Sequence, residues 1–184
     1  MTADDVVVIY NDTSGRLIIQ LKDADGNPIA GAKVKITVGN LTKSMNTYAS
    51  GKAFISTKSL DLGDYVATVT YAGDDYYAPA STTANVAVKK TATVLTASDV
   101  VATQGDSSKL IAELKDSAGN PISGVKVKFS LGNLTKSMDT SSAGRAYINT
   151  RTLAPGNYTA VISCLGNEDY APSSITANVL IKKA

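Results

Sequence analysis

No histidine occurs anywhere in the 184 residues. That removes the Ser–His–Asp and Cys–His constellations, His-ligated zinc and the commonest general base at neutral pH. The one cysteine, Cys164, falls in a row of apolar residues, where it reads as a buried, inert thiol rather than a nucleophile. A single thiol also allows no intrachain disulfide. Neither a phosphate-cradling G-x-G-x-x-G or G-x-x-x-x-G-K-[ST] loop nor a G-x-S-x-G elbow is present. The residues predict no enzyme and no cofactor.

Oxygen-rich and tyrosine-rich segments remain. Asp23-Ala24-Asp25-Gly26-Asn27 resembles a calcium loop, but Ala118 replaces Asp25 in a second copy of the segment and no distant bidentate Glu follows. A hairpin turn is the better reading, and no metal is expected. A Lys–Asn isopeptide bond would need buried partners. Asn85 and Asn178, with Lys22 and Lys115 as possible partners, lie on outward faces by alternation, so that bond is not expected. Four N-x-[ST] sequons, at Asn11, Asn40, Asn133 and Asn157, are possible glycosylation sites, with Asn40 and Asn133 the best placed, each just after a Gly. Tyr76, Tyr77 and Tyr170 stand in a Gly-Asp/Asn loop before the last strand of each copy. Loops at sandwich ends often carry binding, so these three are possible partner contacts. The competing reading has Tyr77 and Tyr170 capping the core and only Tyr76 free.

The elements that position these residues follow from a repeat. Shifting the sequence by 93 residues aligns residues 17–90 with 110–183 without a gap, with 40 identities in 74 positions. Period-two alternation is strong within each copy: Leu17/Ile19/Leu21, Val34/Ile36/Val38, Tyr65/Ala67/Val69/Tyr71 and Ala84/Val86/Val88 form inward rows. Counterparts recur from Leu110 to Ile181. Apolar residues make up 43% of the chain, enough for a core, and β-branched residues and Tyr suit strands better than helices. One apolar and one polar face per strand predicts two-layer antiparallel sandwiches, with domains 1–90 and 91–184. Gly, Pro and Asn clusters separate the rows at sandwich spacing. A Tyr two residues after a Gly turn, Tyr65 and again Tyr158, fits a tyrosine corner; a Tyr packed at the sheet edge gives the same pattern. Residues 91–98 read as an alternating strand, whereas copy one has only residues 1–5 there, so its first strand is expected to be truncated. The junction lacks Gly, Pro or Ser-rich sequence and predicts a stiff, monomeric rod. Net charge is +2 with scattered lysines, so no nucleic-acid partner is expected. No run approaches ~20 apolar residues, and residues 1–5 have no signal-peptide character.

The pattern K-D-x-x-G-N-P-[IL]-x-G-x-x-V-x-[IF], followed by G-[KR]-A-x-I and L-x-x-G-x-Y, resembles bacterial Ig-like domains of the invasin and intimin type. The stretch at 73–79, and again at 166–172, is more similar to tandem repeats in adhesin-like surface proteins of methanogenic archaea. Both copies are covered. The resemblance implies all-β, tandem immunoglobulin-like antiparallel β-sandwiches, with prealbumin-like stalk domains as the alternative. It further implies an extracellular, cell-surface adhesin fragment that mediates or projects cell–cell attachment. Its partner would be a surface protein or glycan of another cell, and its anchoring segment is expected outside these residues. Two other classes stand beside this one: a specific glycan- or protein-binding module, and an accessory domain of a secreted hydrolase.

Overall fold

Each apolar row becomes the inward side of a strand. The computed structural model describes all 184 residues, which divide into two units, Met1–Lys90 and Thr91–Ala184, with no helix in either. In the first, the strands are β1 (Thr2–Ala3), β2 (Val6–Ile9), β3 (Arg16–Gln20), β4 (Lys33–Val38), β5 (Leu41–Asn46), β6 (Lys52–Ser56), β7 (Gly63–Tyr71) and β8 (Ala80–Lys89). The second repeats them as β9 (Thr93–Ala97), β10 (Val100–Thr103), β11 (Lys109–Asp116), β12 (Lys126–Leu131), β13 (Leu134–Asp139), β14 (Arg145–Asn149), β15 (Gly156–Cys164) and β16 (Ser173–Lys182).

Each unit is a two-sheet sandwich. A three-stranded sheet (β1-β3-β6; β9-β11-β14) accompanies a five-stranded one (β2-β8-β7-β4-β5; β10-β16-β15-β12-β13). Leu17, Ile19, Val34, Ile36, Ala67, Val69 and Val86 are buried in the first core, and the second centres on Phe129, which is fully enclosed. Pairing between the named strands is antiparallel except at one place in each unit. β2 runs parallel to β8 with Val6 opposite Val86, and β10 runs parallel to β16 with Val100 opposite Val179. The cause is a sheet switch: the chain leaves the three-stranded sheet after β1, crosses two residues, and continues in the same direction beside the last strand. Alternation alone carries no information about strand direction.

That switch is held by a side chain absent from the 93-residue alignment. The Asn85 N–H and Nδ2 donate to the two carboxylate oxygens of Asp5 at 2.6 and 2.9 Å, and Asn178 does the same to Asp99 at 2.7 and 3.2 Å. These hydrogen bonds hold both Asp carboxyls below their ordinary value. Asn85 and Asn178 are exposed, as alternation implied, and their partners are Asp rather than Lys. The front of the repeat is offset by 94: Thr2-Ala3-Asp4-Asp5-Val6-Val7 matches Thr96-Ala97-Ser98-Asp99-Val100-Val101. Strand β1 keeps two residues of pairing where β9 keeps five, in the same register, Thr2 opposite Gln20 and Thr96 opposite Glu113. One extra residue in the β2–β3 loop restores the offset of 93.

The identical Gly-Asn-Leu-Thr-Lys-Ser-Met stretch builds the second edge of each large sheet. Val38 pairs with Leu41 across a two-residue turn, and Gly39 has φ 55°. A Cβ at Gly39 would lie 2.9 Å from Tyr65 Cε1, so the turn and the tyrosine select glycine together. Leu41 and Met45 rest on the core while Thr42 and Lys43 face solvent. A charged residue on an open edge discourages strand-to-strand aggregation.

Candidate functional site

Tyr65 closes a tyrosine corner. Its hydroxyl donates to the Asp61 carbonyl at 2.9 Å, and Tyr158 donates to Ala154 at the same distance. The Asp23 loop is a turn stapled by its own side chain. Oδ1 accepts from the N–H of Asp25 and Asn27, and Oδ2 from Asn27 Nδ2; Asp116 repeats this with Ala118 and Asn120. Both of its oxygens are thereby occupied by donors of the loop, which is the hairpin reading in atomic terms. Nowhere do three or more His, Cys, Asp or Glu side chains stand close enough to hold a metal ion. Cys164 is buried in β15, in the place Tyr71 holds in β7.

The tyrosine loops differ between units. Following Tyr71 at the end of β7, the chain turns at Gly73, φ 82°, and Asp74 organises the loop from there to Tyr77. Asp74 Oδ1 accepts the N–H of Tyr76 and of Tyr77 at 2.9 Å each, its own N–H donates to the Tyr77 carbonyl, and Oδ2 accepts the Tyr71 hydroxyl at 2.7 Å. The Tyr71 hydroxyl, then the two amides, holds the Asp74 carboxyl below its ordinary 3.8. Burial, then the bond to Asp74 and its charge, pushes Tyr71 up to about 12. These bonds, centred on one residue, make this a fixed loop, and it presents Tyr76 almost wholly to solvent, at 91% exposure. Tyr77 is 38% exposed.

In the second unit Asn167 takes the organising position, its Oδ1 accepting from the N–H of Asp169 and Tyr170. Asp169 stands where Tyr76 does, and Tyr170 is half-buried against the core. Tyr76 and Tyr77 therefore share one loop of the first unit, and Tyr170 lies in the corresponding loop of the second.

The sequon asparagines are all exposed. Asn40 and Asn133 sit at hairpin turns after Gly39 and Gly132, whereas Asn157 lies within β15 opposite Leu180. Asn11 adopts φ 62° in the turn after β2, where the second unit uses Gly105 at φ 88°; asparagine tolerates that region better than most residues.

Sequence reasoning missed one surface: the outer face of each three-stranded sheet. Arg16 lies 4.5 Å and Lys43 5.1 Å from the Phe54 ring centre, and Tyr48 stacks on Phe54 at 6.1 Å. In the second unit Lys109 covers Tyr147 at 4.1 Å, and Glu113 accepts from Arg145 and pairs with Lys115. The signal was available as aromatic residues in outward rows of β6 and β14.

No family model matches the chain. Among solved structures it is similar to invasin, described as a bacterial integrin-binding protein, at 25% identity over 94% of this chain and 37% of that one, TM-score 0.40. It is similar also to the D0-D1 domain of intimin, at 21% identity over 98% of this chain and 96% of that one, TM-score 0.36. A third likeness is to fibronectin(III)-like modules of Clostridium thermocellum CbhA, at 19% identity over 100% and 94%, TM-score 0.39.

Proposed function

We propose that this chain is part of an extracellular adhesin stalk, a tension-bearing spacer that projects or mediates attachment to another cell. The observation that supports it most is the parallel pairing of β2 with β8 and of β10 with β16. Tension drawn through the ends of a unit slides parallel strands along one another. Every bond of the ladder is then loaded together, whereas an antiparallel hairpin pulled at its open end loses its bonds one at a time. The Asp5–Asn85 and Asp99–Asn178 clasps sit at the start of those ladders. Both units retain the same corner, stapled turn and edge hairpin, which are framework devices, while the tyrosine loops diverge.

A second reading, recognition of a surface protein or glycan, is favoured by Tyr76 standing exposed on a fixed loop. Antibody fragments against the pair, applied to intact cells of the source organism, test the surface assignment. Equal labelling before and after permeabilisation supports it; labelling only after permeabilisation contradicts it. Binding of the labelled pair to target cells, lost in Tyr76→Ala, would favour the second reading.

A further inference from the structure

The outer face of the first unit's three-stranded sheet carries positive charge that no ion pair neutralises. Alternation puts Arg16, Ile18 and Gln20 of β3 and Lys52, Phe54 and Ser56 of β6 on that face, with Ile18 opposite Phe54 and Gln20 opposite Lys52. No acid stands in either row. Lys43 reaches the same ring from the edge strand β5. Arg16, Lys43 and Lys52 are all exposed, and none of them is in an ion pair.

Phe54 gathers this charge without cancelling it. Arg16 Cζ lies 4.5 Å and Lys43 Nζ 5.1 Å from its ring centre, and an aromatic quadrupole attracts a cation but leaves its charge in place. The two charges are therefore less than about 10 Å apart, within a Debye length at moderate salt, and their potentials add. The second unit answers the same problem with one residue. Glu113 stands where Gln20 does, 2.7 Å from Arg145 Nη2 and 3.1 Å from Lys115 Nζ. The bonds from Lys115 and Arg145 hold its carboxyl below the ordinary value. Gln20 instead donates its side-chain amide to the Ser50 carbonyl at 2.7 Å and has no charge to offer Lys52.

We infer that this face of the first unit binds an anionic polysaccharide, whose carboxylate or sulfate groups meet Arg16, Lys43 and Lys52. Charge complementarity sets the sign of the partner, and the neighbouring side chains set its class. Ile18, opposite Phe54, and Tyr48, stacked on Phe54 at 6.1 Å, are each 51% exposed and offer apolar surface to the C–H face of a sugar ring. The Gln20 side-chain oxygen and the Ser56 hydroxyl stand in the same rows as partners for sugar hydroxyls, which the side chains of an acidic peptide lack. A peptide added as a strand would moreover use a backbone edge, whereas this surface presents side chains from the middle of a sheet face. The inference rests on neither the stalk reading nor Tyr76, and its failure would leave both standing.

The test measures binding of the full chain to polygalacturonate and to polyglutamate, which each carry one carboxylate per residue and differ in having a sugar or a peptide backbone. Polygalacturonate should bind the more tightly, and less so as salt rises. The triple variant Arg16→Gln, Lys43→Gln, Lys52→Gln should weaken that binding by about tenfold or more, since each surface charge contact is worth a factor of a few. Lys33→Gln, Lys35→Gln, Lys58→Gln makes the same change in net charge elsewhere and should stay within about twofold. Gln20→Glu, which supplies the counter-charge that Glu113 supplies in the second unit, should weaken binding while leaving all three cations in place. Equal losses in the two triple variants, polyglutamate bound as tightly as polygalacturonate, or no binding of polygalacturonate by the unaltered chain would overturn the inference.

Discussion

Replacing Tyr65 with Phe removes one hydroxyl and leaves the ring where it is. The ring is the neighbour that Gly39 must accommodate, so its packing survives and the change isolates the 2.9 Å bond to the Asp61 carbonyl. A net intramolecular hydrogen bond contributes about 0.5–1.5 kcal/mol. Because that carbonyl lies at an exposed corner and water can reach it, the loss should be about 1 kcal/mol rather than the larger penalty of an orphaned buried group. For a domain of this size, 1 kcal/mol corresponds to about 4–8 °C in Tm. Tyr158→Phe should cost the second unit a similar amount through Ala154. Hydrogen exchange resolved by peptide during a thermal series shows which unit has opened. The expected result is earlier opening of residues 1–90 for Tyr65→Phe and of 91–184 for Tyr158→Phe, with near-additive effects in the double variant. A shift under about 1 °C in both single variants would refute the reasoning, since the corners would then be geometry without energetic consequence.

Acid should loosen one tyrosine loop and not the other. The Asp74 carboxyl is depressed below 3.8, so its contribution is present above that value and is lost as pH falls through the folded value. Asn167, which organises the second loop, has no proton to gain, and amide exchange at Tyr76 and Tyr77 should rise relative to Asp169 and Tyr170 below about pH 4. At the other extreme Tyr71, raised from 10.0 to about 12, keeps its contribution below pH 10.0 and loses it as pH rises toward 12. The first unit should therefore lose stability across that window, followed by circular dichroism, while the position is Cys164 in the second. Gly39→Ala combines a left-handed backbone, about 1–2 kcal/mol for an L-residue, with the Cβ contact at 2.9 Å. It should lower the urea midpoint more than Gly26→Ala, whose added Cβ meets nothing within 4 Å. Cys164, enclosed in the second core, should resist a thiol reagent in the folded protein and react at the rate at which that unit opens.

Much of the framework was legible because it rests on short-range rules. Rows such as Val34/Ile36/Val38 alternate with lysines, and burial on one face follows directly from that period. Tyr65 after Gly63 and the Asp-Gly-Asn-Pro turn are local geometry, and each forms the contact its spacing suggests. What escaped was long-range. The Asp5–Asn85 clasp joins residues 80 apart, and the parallel direction of β2 leaves no trace in an alternation pattern. A one-residue offset hid the match between Thr2-Ala3 and Thr96-Ala97, although those residues were in plain view. The glycine of the Gly-Asn-Leu-Thr-Lys-Ser-Met stretch is likewise a long-range requirement, because Gly39 is dictated by a ring 26 positions away. At the tyrosine loops, alternation could place Tyr77 and Tyr170 near the core but could not show that Asp74 organises one loop and Asn167 the other.

Pulling single molecules from both ends tests the tension-bearing account most directly. It predicts two separate unfolding steps, each lengthening the chain by about 30 nm at ~3.3–3.6 Å per residue over units of 90 and 94 residues. It further predicts that Val8→Pro, which removes a ladder donor opposite Val88, lowers the force of one step only. Smooth extension without steps, or two steps whose forces are untouched by breaking the parallel ladder, would contradict it.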